Sequence, residues 1–526
     1  MSAFLAAAGV LAAAAAGAGS ILVPPGRLRS LAMLAAIALL PALILGDQWH
    51  TTQIVDLRHH ADRLVALGIV ALAATGALAL VFRRWPILLP LAIVAALPFR
   101  IPLEAGGDTA NLLVPLYLVI AAGVLATALR DWNGTRADAP AAASAAPLVW
   151  LPRILAAAVV LYALQSLYSP DFSKGLQNVC FFLVPFTVAY GLLRDVKWDK
   201  RLLTYVLAVV AAEALAFVLI GSVEYVSRSL FWNDQVIRSN EFHTYFRVNS
   251  VFWDPNIYGR YLALVIVVAM ASLLWIKERR TFALLTLLVA VLWIGLAQTF
   301  SQSSFIALLA GLAALAALRW SWRWTLGAAA IGAIGAVLVV TLVGGSGKVN
   351  FSRLNIDTSG RANLVSGGLD LFGERPIWGY GSVGFQHAYR DHAANQDAPV
   401  SISHTEPITV ASEQGTIGLV AYVALIATAL WTMASGLGPL MPGLAGSRAG
   451  GAGRGPRTDT LARPQALSPG QAPRAYLAAR AAVLAAFVAL LVHTMAYAGF
   501  FEDPITWVLL AVGASLAAAP AVRDPA

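Results

Sequence analysis

A succession of apolar runs, each long enough to cross a bilayer, limits what this chain can fold into. A membrane-spanning helix needs about 20 mostly apolar residues. Runs of that kind fall at 3–23, 31–46, 64–82, 86–103, 111–129, 153–168, 176–193, 202–221, 257–276, 281–298, 303–318, 324–344, 409–436, 477–496 and 505–520. Some are short, so 12–15 spans are expected. Of the 526 residues, 59% are hydrophobic and only 12% charged, which excludes an ordinary water-soluble globule. The expected fold class is all-α: a polytopic transmembrane helix bundle with a large, partly helical outer loop. The run at 3–23 has no basic region before it and reads as a retained helix rather than a cleaved signal.

Basic residues orient the bundle, because loops facing the cytoplasm collect Lys and Arg. Every second connection is basic, from Arg27 and Arg29 and then Arg83 and Arg84 to Arg319 and Arg323, the group Arg448 to Arg480, and Arg523. These connections hold 23 of the 36 Lys and Arg, and their alternation puts the N-terminus outside and the C-terminus inside the inner (plasma) membrane. Topology accounts for much of the formal +9 charge, so no nucleic-acid partner is expected.

Nine of the remaining 13 basic residues lie in two long outer segments, 222–260 and 345–408. Either they bind an anion, or long outer loops are simply free to carry charge. His50, His59, His60, His243, His387, His392 and His404 map outside, and His493 maps near the outer end of its helix. Proton-transfer chemistry therefore belongs to the outer face. Cys180 is the only cysteine, so no disulfide can form within the chain. The Gly-, Pro- and Arg-rich stretch 437–476 reads as a flexible cytoplasmic linker. It divides N-terminal helices (1–200) and a core (201–436, including the loop 345–408) from C-terminal helices (477–526).

Several polar patches carry the chemistry. Asp254-Pro255-Asn256 opens a helix between Arg247 and Arg260; an Arg at the mouth of a span is costly unless it pairs or reaches water, and Asp254 is a candidate partner. Gln298 to Ser304 forms a tight polar turn containing Ser301-Gln302. Arg361 precedes a short amphipathic stretch and the Gly-rich Pro376-Ile-Trp-Gly379-Tyr-Gly381-Ser-Val-Gly384-Phe385. His404-Thr-Glu406 and Glu413-Gln-Gly415 follow. Arginine presents a planar, permanently charged fork to phosphate oxygens and can neutralise a departing diphosphate. Histidine can take the proton of an attacking hydroxyl. His59-His60-x-Asp62 is a poor metal motif, because two adjacent His rarely face one ion. No Asp-x-Asp pair in the outer loops and no P-loop point to a nucleotide substrate, so activation must arrive with the donor, and neither a metal site nor a cofactor is expected. Glu213, inside a span, either faces a cavity or bonds a neighbouring helix.

In this order, Arg247…Asp254-Pro255-Asn256, the Ser-Gln-Ser turn, Arg361…Pro376…Gly379-x-Gly381-x-x-Gly384-Phe385, His404 and Glu413-x-Gly415-x-x-Gly418-Leu419 resemble the O-antigen ligase and polymerase superfamily over about residues 200–440. The resemblance implies inverting, metal-independent glycosyl transfer at the outer face of the inner membrane, from a glycan on undecaprenyl diphosphate to a lipid or glycan acceptor. It implies His404 as the base on the acceptor hydroxyl, and Arg361 and Arg247 as diphosphate ligands. Arg260, Gln302, Glu406 and Glu413 are further substrate-binding candidates. Gln302 stands where the family commonly has Arg, and Glu406 where Asn is frequent. Ligase and polymerase differ only in the acceptor, and a lipid-linked glycan flippase is the alternative from another class.

Overall fold

The computed structural model describes residues 2–105, 108–134, 146–242, 245–320, 361–392, 403–437 and 474–518, with 323, 325 and 327. The chain is an all-α multi-pass bundle. Twelve of its described helices are long and apolar enough to cross a membrane.

The run at 86–103 departs from expectation. Its helix covers only Leu88–Ala96, and the chain continues as an antiparallel hairpin, Ile101–Ala105 with Asp108–Leu112, in which Ile101 faces Leu112. Pro98 and Pro102 explain the stop, since proline has no N–H to donate and clashes with the preceding turn. The hairpin then satisfies the extended backbone. The last run forms a shorter helix, Pro504–Ala518, of 15 residues. The run at 324–344, Arg353, and residues 438–473 of the expected linker lie outside the described residues, apart from the isolated positions 325 and 327.

Three helices pack closely on one another: Pro255–Trp275, Gln302–Arg319 and Arg474–Thr494. A Cβ added to Gly311 would lie 2.6 Å from Val267 Cγ2 and 3.2 Å from the Ala485 carbonyl oxygen. Such close approach replaces the hydrophobic driving force that lipid cannot supply between helices. Helix Phe172–Asn178 continues into Val184–Arg194 through a π turn, Val179–Leu183. Pro185 lacks the N–H that an α-turn needs there, and the wider turn absorbs the misfit. Cys180 is buried in it. Glu213 accepts a hydrogen bond from Tyr261 of the neighbouring helix at 2.9 Å, which settles how that acid is accommodated.

The two ends of the bundle differ in how they use charge. At one end, cations serve helix C-termini: Arg29 donates to the Ser20 and Gly191 carbonyls and pairs with Asp195, and Arg480 donates to the Ser435 carbonyl. The other end, the loop end, carries residues 361–392 and 403–405. There helix Ala146–Ser166 and the turn after it support the loop. Gln165 donates to the Gln414 carbonyl at 3.0 Å and accepts from the Ser382 N–H at 3.3 Å, and Tyr168 donates to the Trp378 carbonyl at 2.5 Å. The N-terminal helices thus hold up the polar segment.

Candidate active site

The site begins with a broken span. Helix Glu406–Ala434 is interrupted at Gly415, whose φ of 65° and ψ of −164° are not helical. Backbone from the Gly-rich loop fills the break. Thr416 N–H donates to the Pro376 carbonyl at 2.7 Å, Tyr380 N–H to the Ser412 carbonyl at 3.1 Å, and Gly381 N–H to the Glu413 carbonyl at 2.8 Å. A Cβ on Gly415 would sit 2.3 Å from the Ile377 carbonyl, and one on Gly379 (φ 68°) 2.3 Å from the Glu413 carbonyl. Only glycine tolerates both the left-handed backbone and that proximity. Glu413 completes the joint: its buried carboxylate accepts from Val383 N–H at 2.9 Å and Phe385 N–H at 3.2 Å.

The short segment before the break, Glu406 to Gln414, carries His404 just ahead of it. Its first residue is anchored in the same manner, with Glu406 accepting from Gly499 N–H at 2.7 Å and Phe500 N–H at 3.1 Å. Ser403 is tied to Thr409 at 2.7 Å, and Thr405 donates to the Met495 carbonyl at 3.1 Å. Held on both sides, half-buried His404 adopts φ 62°, an uncommon conformation for a side chain of its size.

His404, Arg361 and Arg247 share one electrostatic neighbourhood. Burial holds the His404 imidazole below its ordinary value; the Arg361 charge pushes it down further, and Asp254 opposes. Burial also lowers the Arg247 guanidinium, with Asp254 and Tyr245 opposing and Arg361 adding to the effect. Arg361 opens helix Arg361–Glu374. Arg247 Nε donates to the Thr299 carbonyl at 3.0 Å and Nη2 to Asn256 Oδ1 at 3.2 Å, so its fork is fixed before any ligand arrives. Asp254 caps helix Pro255–Trp275 by accepting from Asn256 N–H at 2.6 Å. Tyr497 completes this surface: burial raises its hydroxyl, Asp254 adds to that, and Arg260 and Arg100 oppose.

A second group lies deeper. Arg260 pairs with Asp503 at 2.8 Å, both side chains 4% exposed, and the Arg100 charge acts on Asp503 and Glu502. Arg260 therefore takes Asp503, not Asp254, as its partner. An apolar cavity of about 460 Å³ runs between helices toward this group, as far as Tyr261 and Ile505. Its lining residues Leu97, Tyr261 and Ile505 are close in sequence to Arg100, Arg260 and Asp503, and Lys200 and Trp275 line it toward the opposite end.

The structure thus brings His404, Arg361 and Arg247 together. Arg260 belongs to the adjoining buried pair. Glu406 and Glu413 bind backbone N–H groups, and Gln302 is exposed in the first turn of its helix while Ser301, Ser303 and Ser304 are buried. Asp503, Arg100 and Tyr497 escape the sequence reading; the one signal for Asp503 is the acidic pair Glu502-Asp503 between two apolar runs. Among the described residues, no three His, Cys, Asp or Glu side chains converge as metal ligands.

Residues 287–423 match the family model described as O-Antigen ligase. No curated protein matches the chain.

Proposed function

We propose, from the match of residues 287–423 to the O-Antigen ligase family model, that the chain transfers a glycan from an undecaprenyl-diphosphate-linked donor to an acceptor hydroxyl, on a lipid A core or another surface glycan, at the outer face of the inner membrane. The observation that carries the residue-level reading is that the Arg361 charge bears on both Arg247 and His404. Arg361 and Arg247 bind the diphosphate and neutralise the charge that develops on it as the bond to the sugar breaks. His404, kept neutral by burial and the adjacent cation, takes the proton from the acceptor hydroxyl as its oxygen attacks the anomeric carbon from the opposite face. The configuration at that carbon inverts, and the lipid diphosphate leaves.

Glu406 and Glu413 act as positioning residues in this scheme, the first holding the turn beside His404 and the second the Gly-rich loop. The apolar cavity that reaches Tyr261 supports a lipid-linked donor over a soluble one.

The test is product analysis with purified protein in lipid, supplied with a lipid-diphosphate glycan and EDTA. Glycan appearing on an added acceptor supports the proposal. Lengthening of the donor glycan without an added acceptor identifies the polymerase instead. Movement of intact donor across the bilayer without transfer identifies a flippase and overturns the proposal.

A further inference from the structure

A chain of hydrogen bonds runs from Arg247 into the bundle and ends on a histidine that the mechanism does not use. Arg247 Nη2 donates to Asn256 Oδ1 at 3.2 Å, and the Ser301 hydroxyl lies 2.8 Å from the same oxygen. Ser301 in turn lies 3.1 Å from the Ser303 hydroxyl, and Ser303 lies 3.2 Å from His493 Nε2. Ser304 runs in parallel, 2.8 Å from Ser301 and 3.4 Å from His493 Nε2. Ser301, Ser303, Ser304 and His493 are all buried, so no bulk water can substitute for a missing partner.

The order of protons along this chain follows from Arg247. A guanidinium can only donate, so the atom it meets on Asn256 is the oxygen, which can only accept. Ser301 therefore donates to Asn256 and accepts from Ser303 or Ser304. With Ser303 donating to Ser301, the ring supplies Nε2–H to Ser303, the neutral tautomer that leaves Nδ1 bare. That Nδ1 is buried and has no hydrogen-bond partner among the described residues, and the positive charges of Arg260 and Arg361 act on the ring.

We infer that His493, on the helix Arg474–Thr494 beyond the segment matched to the family, is a positioning residue that orients the Arg247 fork through Ser303, Ser301 and Asn256. The inference rests on the proposed role of Arg247 in holding the donor diphosphate. It assigns the C-terminal helices a part in donor binding: through His493 they fix which way the Asn256 amide turns, and so which atom Arg247 meets.

Two measurements test it. Ring-nitrogen NMR of isotope-labelled histidine, read by difference against His493→Phe, should show Nε2–H with unprotonated Nδ1, perturbed in Ser303→Ala. An Nδ1–H tautomer or a doubly protonated ring overturns the relay, whatever the protein catalyses. In transfer assays His493→Phe, which keeps ring volume and removes the donor, should raise the KM for the lipid-diphosphate donor about tenfold, the scale of one hydrogen bond, with kcat nearly unchanged. His493→Gln restores an N–H at similar reach and should recover the wild-type KM. Ser303→Ala combined with Ser304→Ala removes both hydroxyl routes without touching the ring and should match His493→Phe, covering the case in which that variant fails to fold. A wild-type KM in both, or His493→Gln as impaired as His493→Phe, overturns the inference. Unchanged donor KM in Arg247→Ala instead overturns the diphosphate reading and the functional half of this inference, leaving the tautomer result intact.

Discussion

His404 is the residue on which the proposed chemistry turns, and its surroundings define its pH dependence. Burial and the Arg361 charge hold its pKa below the ordinary 6.5, with Asp254 opposing. A base works in its neutral form, so transfer should be flat near neutrality and fall only as the pH drops through that depressed value. His404→Ala should lower the rate by roughly 10²- to 10⁴-fold while donor binding persists; normal transfer by this variant ends the assignment. Arg361→Gln removes a cation that depresses His404, so the His404 NMR titration should move up toward 6.5. Asp254→Asn removes an opposing charge and should move it down. These three residues are legible in the sequence because polar groups stand out against long apolar runs. Glu406 and Glu413 are legible as acids near a histidine, but their work is not. Their carboxylates bind N–H groups of loops far along the chain, and no local spacing encodes that.

At the scale of elements, the joint between Gly379 and Gly415 is the most demanding piece of the loop end. Gly415→Ala combines a positive-φ, extended backbone nearly exclusive to glycine, which costs another residue about 1–3 kcal/mol, with a Cβ 2.3 Å from a carbonyl oxygen. It should reduce the yield of folded protein in detergent, as read by size-exclusion profile and thermal melt. The glycine pattern itself is visible in the sequence, but the run 409–436 reads as one unbroken helix, because apolar periodicity carries no sign that another segment will enter the break. The Arg260–Asp503 pair is hidden for a related reason: its halves lie in different regions of the chain. Removing one buried partner strands the other, so Arg260→Leu should destabilise by about 3–5 kcal/mol. Adding Asp503→Leu should recover most of that loss. If the double variant is no better than the single, the pair is not the source of the effect.

For the whole molecule, the span count and the class of fold follow from hydropathy, since each span must satisfy its own backbone within lipid. Where hydropathy misleads, at 86–103, two prolines outweigh an apolar composition and turn an expected span into a short helix and a hairpin. The proposed orientation has a direct check. In a Cys180→Ala background, a cysteine placed at exposed Trp378 should react with an impermeant maleimide from the periplasmic side, and one at exposed Arg279 only after the membrane is opened. The reverse pattern would put the arginine–histidine group in the cytoplasm and defeat the proposed donor.

The interruption at Gly415 also bears on how this protein would sit in membranes of unequal thickness. Spans answer hydrophobic mismatch by tilting. The piece below the break packs on helix Ala146–Ser166 and tilts with the bundle, whereas Glu406 to Gln414 is stitched to the Gly-rich strap and to the turn at Gly499 and Phe500. A glycine hinge thereby uncouples lipid-driven tilt from the imidazole above it, and turnover should vary little across vesicles of graded acyl length.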